Sequence, residues 1–101
     1  MLIRVREDQS LTLEEEHNFK GFCIQVKDLD TNLSALDGII NRIEDSNYWL
    51  DAQGVIALSN KSTDKEWLNQ FWGMLRGAES YGFADHEAQL IRAHIEYDIA
   101  N

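Results

Sequence analysis

Thr63-Asp64-Lys65-Glu66-Trp67-Leu68-Asn69-Gln70-Phe71-Trp72-Gly73-Met74-Leu75-Arg76-Gly77-Ala78 is the stretch on which the fold turns. Thr63 with Glu66 three residues later forms a capping box, in which two orphan donors at a helix start are satisfied reciprocally. Behind it Trp67, Leu68, Phe71, Trp72, Met74, Leu75 and Ala78 recur at helical spacing. They cover more than one narrow stripe, which predicts a helix contacted on two sides. Gly82, beside Tyr81, is placed to close it. Such a helix must bury its apolar face against another layer, and the flanking sequence supplies strands.

Upstream, residues 2–6 alternate, with Ile3 and Val5 on one face and Arg4 and Arg6 on the other. Asp8-Gln9-Ser10 is a turn, and Leu11-Thr12-Leu13-Glu14 alternates again, which predicts a hairpin. Over 12–20 a strand is preferred to a helix, although Thr12 with Glu15 makes a second capping box and Gly21 could end the helix it starts. Phe22, Ile24 and Val26 predict a third strand. Leu29, Leu33, Leu36, Ile40 and Ile43 recur at spacings of four and three, which predicts an amphipathic helix over 29–43. Gly38 weakens it by about 1 kcal/mol relative to alanine, and Glu44-Asp45-Ser46-Asn47 ends it.

Tyr48-Trp49-Leu50-Asp51, a turn at Ala52-Gln53-Gly54, and Val55-Ile56-Ala57-Leu58-Ser59 predict a second hairpin, with Gly54 at a positive φ. Asn60-Lys61-Ser62 is a loop. Beyond the central helix, Asp85 caps an expected last helix bearing Ala88, Leu90, Ile91, Ala93, Ile95 and Tyr97 and fraying at Asn101. The expected fold is α+β in the order β-β-β-α-β-β-α-α. An antiparallel sheet of about four to five strands carries about three helices on one face, in one domain over 1–101.

A chain of 101 residues has no room for a second independent core. It contains no proline, so a PxxP ligand is excluded. Nine Lys and Arg stand against eighteen Asp and Glu, a net charge of −9 spread over both halves. A field of that sign repels phosphate backbones, and the cations are scattered singly, so neither direct nucleic-acid binding nor docking to an anionic membrane is expected. A partner with a basic surface suits it better. No apolar run is long enough to span a bilayer, and the first residues lack the apolar core of a secretion signal. The expected compartment is the cytoplasm.

The chemistry-bearing motifs are weak. Cys23 is the only cysteine, and nothing local would lower its pKa. His86-Glu87 begins like a zinc helix, but position 90 is Leu, so the HExxH pattern fails. On a helix Glu87, Ile91, His94 and Asp98 would share a face, too extended for one ion. There is no GxGxxG or Walker loop and no GxSxG turn. No catalytic residue, cofactor or metal is expected, and an enzyme is disfavoured. Glu14-Glu15-Glu16 is a solvated charge run; imitation of phosphates is a remote alternative. Gly73 and Gly77 form a GxxxG within the helix. It permits close packing against small residues such as Ala84, Ala88 and Ala93, or a subunit contact, or a ligand groove.

The aromatics are the most informative feature. Each ring covers about 150–250 Å² when buried, and three tryptophans strain so small an interior. Tyr48, Trp49, Trp67, Phe71 and Trp72 are therefore the candidate binding residues. The preferred role is a small acidic protein-interaction module, a homodimer among its forms, that presents this aromatic face. The alternative is a small-ligand-binding domain whose pocket between sheet and helices is lined by the same residues.

Overall fold

The structure, a computed structural model, describes residues 1–28, 30–45 and 47–97. In chain order its elements are strands β1 (Leu2–Val5), β2 (Leu11–Glu14), β3 (Cys23–Val26), β4 (Ile40–Glu44) and β5 (Asn47–Asp51). Helices α1 (Ala52–Ser59) and α2 (Lys65–Glu79) follow, then strands β6 (Ala84–Asp85) and β7 (Leu90–Tyr97). A short 3-10 turn spans Ser34–Leu36. No helix among the described residues is long and apolar enough to cross a membrane.

The α+β class is as expected, but the sheet is mixed and larger than expected, and two helices replace three. Its order is β2-β1-β3-β7-β5-β4, with β6 pairing β7. β1 and β2 form the expected antiparallel hairpin, with Ile3 opposite Leu13. β3, however, runs parallel to both β1 and β7. β5 lies antiparallel to β7 and to β4. β7 is thus paired along both edges.

Alternation along the strands gives the sheet two faces. Cross-strand rows such as Ile3–Ile24–Ile95 and Leu50–Ile91 face the helices. Ile3, Ile24, Leu50, Val55, Trp67, Phe71 and Leu75 join in one buried cluster. The other face carries Arg4, Cys23, Arg42, Trp49, Arg92, His94 and Glu96.

Four expectations are corrected. The helix predicted over 29–43 is a 3-10 turn followed by β4. Leu29, its first apolar residue, lies outside the described residues, as does Ser46 in the segment predicted to end it. Asp37-Gly38 forms a turn, and β-branched Ile39, Ile40 and Ile43 suit a strand better than a helix. The strand predicted over 55–59 is α1. Ala52, Val55, Ile56 and Ser59 are buried together, a helical stripe hidden inside a continuous apolar run. Asn60, in the left-handed region at φ 58°, ends this helix. The predicted last helix is β7, where Ile91 and Ala93 face the core and Arg92 and His94 do not. Asp85 does cap, but it caps a turn: its carboxylate accepts from the Ala88 backbone N–H at 3.0 Å. Asp98 and Asn101 lie outside the described residues. Residues 15–21 are neither strand nor helix but turns and irregular chain.

The central helix forms as predicted, one residue out at its cap. Asp64, not Thr63, is the N-cap, and its side chain accepts from the Trp67 N–H. Gly82 has φ 79° just past the helix end. Gly54 lies inside α1 at a negative φ, and its role is proximity. A Cβ there would stand 2.4 Å from Ile39 Cγ2 and 3.0 Å from Ile39 Cβ. Gly54→Ala should therefore lower stability by about 1–3 kcal/mol through overpacking, although the same change in an open helix gains about 1 kcal/mol. Urea unfolding reads the difference, and in an Ile39→Ala background the Gly54→Ala loss should largely vanish.

Candidate functional site

The five aromatic residues singled out by the sequence do not form one face. Trp67 and Phe71 are 1% and 0% exposed and belong to the core. Their rings stack at 5.2 Å, and Trp72 meets Phe71 edge-on at 5.4 Å. Trp72 is half-buried and reaches His86, ring to ring at 6.2 Å. Trp49 is buried on the other face of the sheet, under the Arg42 guanidinium at 4.7 Å from its ring centre. Its indole Nε1 finds no hydrogen-bond partner among the described residues. Tyr48 is half-buried and packs against the core on the helix side.

A recess lies elsewhere. A cavity of about 560 Å³ opens between the end of α2, the segment 19–22 and β7. Its apolar walls are Phe19, Phe22, Met74, Ala78, Phe83 and Ile91, with Tyr81 at the side. None of the five expected aromatics lines it. Tyr81 is 76% exposed and Phe83 47%, so large rings do stand uncovered, but not the tryptophans. The GxxxG pair is also placed differently from the packing expectation. A Cβ on Gly73 or Gly77 would meet nothing within 4 Å, so neither seats another backbone. Gly77 lines the cavity.

Strand pairing explains why the recess forms where it does. β6 covers β7 at Leu90 and Ile91, and β3 covers the same edge from His94 onward. Between them lies a notch at Arg92 and Ala93, bridged by the Arg92 N–H donating to the Phe83 carbonyl at 2.9 Å. By alternation Ile91 faces the helices while Arg92 and His94 face away. The cavity thus straddles the strand edge. Its outer wall is anchored: Trp67 Nε1–H donates to the Glu16 carbonyl at 2.7 Å. The Met1 ammonium donates to the carbonyls of Asn18 and Gly21 at 2.9 and 3.1 Å.

The polar lining is one-sided. Lys20, Arg92, His94 and Asn47 line the cavity, and among the described lining residues none is Asp or Glu. Arg92 places its guanidinium carbon 4.6 Å from the Phe83 ring centre. His94 Nε2 lies 2.8 Å from Glu96 Oε1, and this contact is the main reason that the Glu96 carboxyl is held below its ordinary range.

Cys23 stands across from His94, and its thiol donates to Glu96 Oε2 at 3.7 Å. Burial pushes the Cys23 thiol up to about 11, and the Glu96 charge adds to the rise. A cysteine beside a carboxylate is the reverse of an activated nucleophile. Among the described residues no three His, Cys, Asp or Glu side chains are grouped to hold a metal ion.

No known family model matches this chain, and neither a curated protein nor a solved structure does. The functional reading therefore rests on the cavity's own chemistry. Sequence reasoning missed the residues that build it, since Phe19 and Phe22, Phe83, and Arg92 come from three separate places in the chain. The one available signal was Gly77, for which a ligand groove was among the readings.

The thiol environment carries a direct test. In the folded chain at pH 8, iodoacetamide should alkylate Cys23 at least about tenfold more slowly than in the urea-unfolded chain, because only the thiolate reacts. Mass spectrometry of timed samples measures both rates, and equal rates would contradict the described environment.

Proposed function

We propose that this chain is a small-ligand-binding domain whose ligand sits between the end of α2, the 19–22 segment and β7. One observation carries the reading: a cavity of about 560 Å³ with apolar walls and a few polar groups at its edge. Ligand sites fall in the range of about 300–1,000 Å³ and have this composition. The anchoring of the 15–21 segment to Met1 and Trp67 supports it, because a preformed wall spares a ligand part of the ordering cost.

Gly77 offers a test in which binding and folding separate. A Cβ there meets nothing within 4 Å, and leucine favours a helix over glycine by about 0.5–1 kcal/mol. Gly77→Leu should leave the melting temperature unchanged or raised while filling the cavity. Fluorescence titration with the neutral apolar probe N-phenylnaphthylamine should show saturable binding to the parent chain and loss of at least about tenfold in affinity in the variant, the scale of a blocked apolar pocket. A parent chain without saturable binding would remove the reading.

The homodimer reading has its own support, in β4 rather than in the tryptophans. β4 is an edge strand, and Ile43 on it is 59% exposed. Arg42 and Glu44 flank it, 3.6 Å apart within one chain. Antiparallel pairing of two copies centred on Ile43 would set each Arg42 opposite the other chain's Glu44, a self-complementary two-fold contact. Light scattering should then give twice the 11.7 kDa chain mass at high concentration, and Ile43→Lys should return it to 11.7 kDa. A parent chain that stays monomeric at every concentration would rule this contact out.

A further inference from the structure

We infer that the ligand of this cavity is an organic anion, an apolar ring-sized body bearing one acidic oxyanion group, and that Arg92 is its anchor. The inference rests on the small-ligand reading above and names the chemistry of the ligand. The chain carries eighteen Asp and Glu, twice its Lys and Arg. Yet this cavity, among the described lining residues, has Lys20, Arg92 and His94 and no carboxylate. In so acidic a molecule a chance recess would be expected to expose carboxylates. This one presents cations against apolar walls.

The three basic side chains are not equivalent. The His94 ring is already engaged by Glu96 at 2.8 Å. Lys20 is exposed on a flexible stem, so its ordering opposes any gain from pairing. Arg92 is half-buried, with its guanidinium over the Phe83 ring and no carboxylate partner among the described residues. A stacked guanidinium still has N–H groups directed outward in its own plane, and a planar donor fork matches an oxyanion. Phe83 therefore holds the donor in place before the ligand arrives. The rings of Tyr81 and Phe83, both exposed, would be covered by the apolar part of the same molecule.

Two probes with one skeleton test the anchor. Anilinonaphthalene sulfonate carries an acid group that N-phenylnaphthylamine lacks. The parent chain should bind the sulfonate about tenfold more tightly than the neutral probe, the usual scale of a charge-assisted hydrogen bond. Arg92→Gln should abolish that preference and leave neutral-probe affinity within about twofold, since glutamine keeps the side-chain stem that packs beside Phe83. Arg92→Lys should keep part of the preference, as a charge without the planar fork. Equal binding of the two probes by the parent chain would overturn the anion assignment and leave the cavity reading intact. A sulfonate preference that survives in Arg92→Gln would overturn Arg92 as the anchor. Binding of neither probe would sink the cavity reading and this inference with it.

Discussion

Strand β7 is the constraint on which the rest depends. Its N-terminal half pairs with β5 on one edge and β6 on the other, and its C-terminal half pairs with β3. A strand paired along both edges is held in register, so its two side-chain rows are fixed to opposite faces. Ile91 and Ala93 close the core under the helices. Arg92 and His94 are turned to the other face by the same alternation. β6 stops short of β3, and beside this gap, which the Arg92 N–H spans by donating to the Phe83 carbonyl, Ile91, Arg92 and His94 line the cavity. Fold and candidate site are thus two consequences of one set of hydrogen bonds.

The parts of the fold that were legible in the sequence are those where one period dominates. β1 alternates cleanly, and α2 carries a cap and a long helical stripe. Where the structure departs from expectation, short apolar runs satisfied two periods at once. Val55-Ile56-Ala57-Leu58 is continuous, so alternation and helical spacing are equally present, and only burial against both β2 and β5 selects the helix. Residues 88–97 contain a strand row, Ile91, Ala93 and Ile95, but Ala88 and Leu90 before it complete a helical pattern. Pairing with three strands decides between them, and pairing is invisible in a single sequence.

The aromatic expectation failed for a related reason. Trp67 and Phe71 lie four residues apart, on one helix face, and a face that large and apolar is driven inward first. They stack, bury the helix start and leave little room there for a ligand. Rings remain outside, but they are Tyr81 and Phe83, which follow the helix rather than line it. Surplus aromatic surface was a sound inference from composition. Its location was set by where α2 stops touching the sheet.

α2 also argues that the recess is more than loose packing. One face of it is sealed, with Trp67, Phe71 and Leu75 at most 1% exposed. Near its C-terminal end the same helix borders an open space beside Gly77. Glycine within a helix costs about 1 kcal/mol relative to alanine, and here no close backbone contact repays it. A larger side chain would favour the helix and has open space to enter. Helix propensity therefore favours filling this position, and the sequence leaves it empty. It does so where a stacked arginine and the exposed Tyr81 and Phe83 rings meet, which is what a site for an apolar anion requires.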